Sequence, residues 1–421
     1  MMKKLFRLFV LIVAASVLLA ACGPAATPEV KETQPAGEQP TEIQPAETQL
    51  PENQPTEAQP VAKKDYKIAV VRWDPGDIYF NGVQLGQEME RDRIMQEEGV
   101  NIEFNVFGAN DAGKQITALQ TQVDAGVDGV LLVPWRGEAM IPLVASISEQ
   151  KLPIVVSNAF VPESKSTFVA FANEDAGRLA GEAIVNRLNE LRGEDWPQTG
   201  GVIIELRCII TASFDIGRHT GYHSVLDPIV EANPGVVIET REAGCDDAEA
   251  RKAVDDIITR YGPENVLAVA SIDGTMGLGA SAAFQAQGIA YPYDDNRHIP
   301  ITTVDGSQPE LVAINRGDID HASVQPAVGE GIMTMRLLWQ MIKEGQLIDK
   351  AATESILYED GTEQWMPVQV IPSSDFDGNW YKTQAYSVPE DVKVDDESLW
   401  GNMMYFKDKG VYPTYDGPYG K

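Results

Sequence analysis

The chain has 421 residues, 43% of them hydrophobic, and a formal net charge of −30. An acidic surface of that size repels nucleic acid and anionic lipid headgroups, so neither is expected as a partner. Charge alone does not specify a ligand.

Lys3, Lys4 and Arg7 precede an apolar run over residues 8–19, and Leu19-Ala20-Ala21-Cys22 follows. A basic start, a short apolar core and small residues before a cut site read as a secretory signal over 1–21, too short to span a membrane as a mature helix. The cysteine directly after Leu-Ala-Ala resembles the lipobox of bacterial lipoproteins. That resemblance implies a lipidated Cys22 and an exported chain anchored to the outer face of the cell membrane, or in the periplasm, by lipid alone. Residues 22–63 are rich in Pro, Glu, Gln and Thr, with Gln-Pro recurring every five residues at Gln34, Gln39, Gln44, Gln54 and Gln59. Such a segment buries too little apolar surface to offset chain ordering and favours extended polyproline II, so it is expected to be a tether.

Residues 64–421 are long enough for two domains with ordinary cores. From residue 67 short β-branched runs alternate with amphipathic stretches, as in parallel βαβ units. One series of strands is predicted over 67–72, 101–107, 129–133, 153–156 and 167–171. A second is predicted over 201–206, 236–241, 266–272, 301–304 and 321–324. Two series imply an α/β chain with two doubly wound sheets, whose ligands sit beyond the carboxyl ends of the strands.

With Cys22 used by the anchor, Cys208 and Cys245 are too few for a disulfide scaffold or a cysteine metal centre. Cys208 closes one strand and Cys245 lies just past the next, so adjacent parallel strands bring both to one sheet edge, and a disulfide is expected; two buried free thiols are the alternative. His219 and His223 have the spacing that shares a helix face, but without HExxH they read as a solvated or packed pair, and no metal site or cofactor is expected.

Several segments in order resemble the type I periplasmic binding proteins that deliver sugars to ABC importers, in the ribose and galactose branch. They are KIAVV at 67–71, YFNGV at 79–83, QVDAGVDGVLLVP at 122–134, KLPIVVSN at 151–158, RHTGY at 218–222, SID at 271–273, TVDG at 303–306 and SVQP at 323–326. The resemblance covers about residues 66–372. It implies a first lobe from 64–172 plus 326–372, a second lobe from 173–325, three crossings between them, and hinges near Asn173 and Pro326. It also implies permease subunits as partners and a monomer that closes on one monosaccharide or similar polyhydroxylated ligand.

Sugar C–H faces stack on aromatic rings, and hydroxyl edges require fixed carboxylate, amide and guanidinium partners. The candidate ligand residues are Trp73, Asp77, Tyr79, Phe80, Trp135, Arg136 and Asn158 in the first lobe, and Phe214, Asp215, Arg218, Asp273, Asp305 and Gln325 in the second and at the hinge. Tyr79 and Phe80 match the family's stacking pair. Ser157-Asn158 and Ile272-Asp273 stand where the ribose pattern often has Asp-Arg and Asn-Asp, which leaves the particular sugar open, and Arg136 and Arg218 keep a sugar acid in view. Residues 373–421 carry ten aromatics with turn residues between, and are expected to pack along the outside of a lobe.

No GxSxG elbow, HExxH, P-loop or GxGxxG after the first strand is present, so an enzyme is not expected. A ligand sensor for a membrane receptor is the alternative output of the same fold. A nucleoside-binding lipoprotein is the alternative ligand class, because 77–81 loosely resembles that group's ligand loop.

Overall fold

The computed structural model describes residues 64–73, 76–164, 166–345, 368–372, 379–383, 385–388 and 399–402. The signal segment, Cys22 and the tether lie outside the described residues, as do Phe376, Tyr405, Phe406, Tyr412, Tyr415 and Tyr419 of the aromatic tail.

Strands β1 (Asp65–Arg72), β2 (Asn101–Gly108), β3 (Gly129–Leu132), β4 (Ile154–Ser157) and β5 (Thr167–Phe171) form a parallel sheet in the order β2-β1-β3-β4-β5. Strands β6 (Gly201–Arg207), β7 (Val236–Glu242), β8 (Val266–Ser271), β9 (Ile301–Asp305) and β10 (His321–Val324) repeat it as β7-β6-β8-β9-β10. Central strands such as β3 and β8 are buried along their whole length, as strands covered on both faces by helices must be. The strand order reverses at β1/β3 and at β6/β8, which are the places where such sheets take ligands.

Helices α1 (Ile78–Glu98), α2 (Ala112–Asp124) and α3 (Gly137–Glu149) flank the first sheet. Helices α4 (Asn173–Arg192), α5 (Ser213–Ala232), α6 (Asp247–Tyr261), α7 (Gly274–Gln287) and α8 (Gln308–Arg316) flank the second, and α9 (Ala327–Glu344) returns to pack on α1. Asp77, Asp111, Asp246 and Asp273 start four of them as extended N-caps whose carboxylates accept backbone amides of the first turn.

Two helix crossings are set by glycine. A Cβ on Gly86 would lie 1.9 Å from the Val328 carbonyl oxygen, and one on Gly331 2.0 Å from that of Val83, so α1 and α9 touch backbone to backbone. Gly177 and Gly221 do the same for α4 and α5, with 2.0 Å to the Arg218 oxygen and 2.1 Å to the Glu174 oxygen. A buried ion pair, Arg336 Nε to Glu90 Oε1 at 2.8 Å and Nη2 to Oε2 at 3.0 Å, further fixes α9 on α1. These contacts position the N-terminal parts of α1 and α5, which carry Tyr79, Phe80, Phe214 and Arg218.

The chain passes between lobes after β5 and after β10, and a third time beyond residue 372. Strands β11 (Val368–Pro372) and β12 (Asn379–Thr383) extend the first sheet, with β12 parallel to β5, and β13 (Tyr386–Ser387) pairs antiparallel with β10 in the second. The described parts of the aromatic tail therefore do not lie along the outside of a lobe. Tyr381 and Trp400 are buried, because the open edges of β5 and β10 each accept a strand and the interior beside them takes the rings.

Cys208 follows β6 and Cys245 follows β7, with Cα atoms 4.5 Å apart and the sulfurs at bonding distance. No helix among the described residues is long and apolar enough to cross a membrane.

Candidate functional site

The loops at the two switch points face each other across a cavity lined by Trp73, Tyr79 and Phe80 from the first lobe and Phe214, Arg218, Asp273 and Asp305 from the second. Asp77, Asn158 and Gln325 of the expected residues also line it.

One end is aromatic. Trp73 leaves β1 and is oriented by its indole N–H donating to the Pro134 carbonyl at 3.1 Å. Its ring stands 4.8 Å from Phe80 at a 37° tilt and 6.1 Å from Phe214 of the opposite lobe. Phe80 is brought there by the N-cap, Asp77, whose Oδ1 accepts the amide of Tyr79 at 2.9 Å. Three apolar faces thus surround one space.

The other end is polar and centred on Arg218. Its Nε donates to Asn173 Oδ1 at 2.9 Å, and its Nη1 donates to the Ile272 carbonyl at 2.6 Å and reaches Asp305 Oδ1 at 3.4 Å. Its Nη2 donates to Gln325 Oε1. Gln325 Nε2 donates to the Tyr79 hydroxyl oxygen at 2.6 Å and to Glu330 Oε2 at 3.1 Å, and Tyr79 donates its own proton to Glu330. Thr383 donates to Glu330 Oε1 at 2.9 Å. The chain of bonds takes in Asn173 at the first crossing, Gln325 at the second and Thr383 at the third.

Carboxyls crowd this end. Burial raises the pKa of Asp273 to about 7, with Asp77 and Glu310 adding repulsion while the Met276 amide and Arg218 oppose it. Burial holds Asp305 well above the usual carboxylate range, and Glu310 and Asp273 push the same way against Arg218. Burial likewise raises Glu330 and Tyr79, against the hydrogen bonds that Tyr79, Thr383 and Gln325 give Glu330. Asp305 also has φ 135°, sparsely populated for a residue with a side chain, and it is held there by Trp400 Nε1 and the Gln325 amide, which donate to its carbonyl at 2.7 and 3.1 Å.

Three expected residues stand elsewhere. Trp135 lies behind Trp73, ring to ring at 4.4 Å, and supports it instead of facing the cavity. Arg136 is the N-cap residue of α3 and reaches Thr211 Oγ1 of the other lobe at 3.3 Å, outside the cavity lining. Asp215 turns back toward the end of β6, where Oδ1 accepts from Arg207 Nε at 2.6 Å and Oδ2 accepts the amides of Cys208 and Ile209 at 2.8 and 2.9 Å. Its carboxylate is committed to ordering that loop. Sequence reasoning omits Cys245, Thr275, Leu278 and Ser307, which also line the cavity, and Glu330, which organises it from behind. Ser307 carries a findable signal, since Ser307-x-x-Glu310 is a capping box.

Two doubly wound lobes joined by three crossings around such a cleft define a bilobal binding protein. The family model described as "Periplasmic binding protein domain" matches residues 68–347, and the chain belongs to that family. It is similar to the ribose import binding protein RbsB of Bacillus subtilis (strain 168), 23% identical and covering 59% of this chain and 79% of that one. It is also similar to the fructose import binding protein FruE of Bifidobacterium longum (strain NCC 2705), at 23% identity over 57% of this chain and 69% of that one. Among solved structures, the Caulobacter myo-inositol binding protein bound to myo-inositol shares the fold, with a TM-score of 0.60, 17% identity, and coverage of 76% of this chain and 92% of that one.

Proposed function

We propose that this protein is the extracytoplasmic, lipid-anchored substrate-binding component of an ABC importer, a monomer that binds one neutral monosaccharide or similar polyol and releases it unchanged. The observation that carries this reading is the pairing, in one buried space, of rings from both lobes with a carboxyl, amide and guanidinium cluster bonded to all three crossings. Rings from two sides suit the C–H faces of a small sugar, and the polar end suits its hydroxyl edge. Relatives that import ribose and fructose, and a structural neighbour that holds myo-inositol, agree with that ligand class.

The partners of the cavity-lining guanidinium favour a neutral over an anionic ligand. Arg218 is already bonded to Asn173, Ile272 and Gln325, and Asp305 and Asp273 stand beside it. A ligand carboxylate would find no free bidentate partner there. The ligand contacts assigned to Trp73, Asp77, Tyr79, Phe80, Asn158, Phe214, Arg218, Asp273, Asp305 and Gln325 are part of this proposal, as is the lipidation of Cys22.

A thermal-shift screen of the purified protein against pentoses, hexoses, polyols, sugar acids and nucleosides tests it. A neutral sugar or polyol should raise the midpoint, with stabilisation of about 2.7 kcal/mol at one hundred times the dissociation constant. A response confined to sugar acids or nucleosides, or recovery of a chemically altered ligand, would overturn it.

A further inference from the structure

The side of α5 away from the cleft carries a second constellation. His219 and His223, one helical turn apart, bring their rings to 4.1 Å between centroids. Glu205, in the middle of β6, rises beneath them. Its Oε1 lies 2.7 Å from His219 Nδ1 and its Oε2 3.4 Å from His223 Nε2. One donor atom from each of the three residues lies within 4.8 Å of the others.

We propose that Glu205, His219 and His223 form a binding site for one zinc-class divalent ion, with the fourth position left to water. Two imidazoles and a carboxylate form a donor set suited to a borderline ion such as Zn2+, and the motif does not require HExxH, because the carboxylate comes from a strand. Donors around a single tetrahedral zinc stand roughly 3.3 Å apart, from metal–ligand lengths of about 2.0–2.1 Å, so small side-chain shifts bring one donor atom from each residue, now within 4.8 Å of the others, onto one ion.

Supporting contacts are already in place. Asp227 Oδ1 stands 2.7 Å from His223 Nδ1, which leaves Nε2 turned toward Glu205 in a carboxylate–histidine pair like those behind metal ligands. Thr240 on β7 donates to Glu205 Oε2 at 2.8 Å and fixes the carboxylate. The Glu205 side chain is 1% exposed while those of His219 and His223 are 30% and 23% exposed, so the site has a closed floor and an open mouth. Glu205 is at present partnered by the two imidazoles and Thr240, and one divalent ion would take the place of the imidazole protons and hold all three donors together. Bound there, it would join α5 to β6 one residue from Arg218.

The test uses protein without a histidine tag, stripped with a chelator and titrated with Zn2+ in competition with a chromophoric chelator, then with Co2+ as a spectroscopic probe. One equivalent should bind, and Co2+ should give the intense visible bands of a low-coordinate site. His219→Ala combined with His223→Ala should abolish both signals, and Asp227→Asn should weaken zinc about 10- to 100-fold. If the double variant fails to fold, Asp227→Asn and His223→Gln alone decide the matter. No stoichiometric binding, or equal binding by wild type and these variants, would overturn the site.

Discussion

Arg218, on a helix of the second lobe, donates to the side-chain oxygen of Gln325, which stands in the second crossing between the lobes. Gln325 passes the interaction on to Tyr79 of the first lobe at 2.6 Å. A residue of the cavity lining and a residue in the second crossing are thus direct partners. Under the proposed function, ligand contacts with one lobe would reach the joint through this pair and so favour the closed form.

Gln325→Ala should leave the Arg218 guanidinium and the Tyr79 hydroxyl each short of a buried partner. The expected loss is about 10- to 100-fold in ligand affinity, or about 1.4–2.8 kcal/mol, together with about 1–3 kcal/mol of folding stability. Calorimetry and urea unfolding on the same preparation check the two effects. Unchanged affinity in a folded variant would remove Gln325 from the binding chain.

Phe80 both lines the cavity and packs in the core. Phe80→Ala would confuse the two roles, since opening a core cavity costs about 3–5 kcal/mol. Phe80→Leu keeps most of the apolar volume and removes the flat face. It should lower ligand affinity several-fold while stability falls by less than about 1.5 kcal/mol. A stability loss with affinity intact would return the residue to packing alone.

The pH dependence follows from Asp273, whose pKa is raised to about 7 by burial. In the unfolded chain this group ionises near pH 3.9, so between about pH 4 and 7 the native state holds more protons than the unfolded one. The contribution of Asp273 to stability should therefore fall as pH rises through that window and level off above it. Asp273→Asn preserves the N-cap at Met276 and should flatten this part of the curve. Urea midpoints across the window, for wild type and variant, make the comparison.

Cys208 and Cys245 are proposed to form a disulfide in the exported protein, closing a sequence separation of 37. In the chain-entropy model such a loop adds roughly 4 kcal/mol. Reduction should lower the melting midpoint and loosen the cavity rim at Cys245. Alkylation of both thiols without prior reduction, read by mass spectrometry, would show that the bond does not form.

The framework is legible because its strands are continuous apolar runs broken at turn residues, and their C-terminal ends name the cleft loops before any contact is known. Trp73, Asn158, Asp273 and Asp305 are reachable by that rule alone, since each follows or ends a strand. Asp215 is not. An acid in the first turn of a helix can face a ligand or the end of the preceding strand, and only the placement of the Cys208 and Ile209 amides decides in favour of the strand. Glu330 looks like an ordinary helical position, because its partners Tyr79 and Thr383 are 251 and 53 residues away. The tail departs from expectation for a related reason. Its aromatic content forecasts burial, but the open edges of β5 and β10 that receive it are properties of the assembled sheets.

The bonded chain from Asn173 through Arg218, Gln325, Tyr79 and Glu330 to Thr383 divides the cleft into two kinds of position. Under the proposed function, members of that chain would serve recognition and mechanics at once, so exchanging one to suit a new sugar would also alter how the lobes move. Trp73, Asn158, Phe214 and Ser307 line the same space without belonging to it. On the same reading, substrate preference is expected to be adjustable at those four positions with less effect on lobe movement.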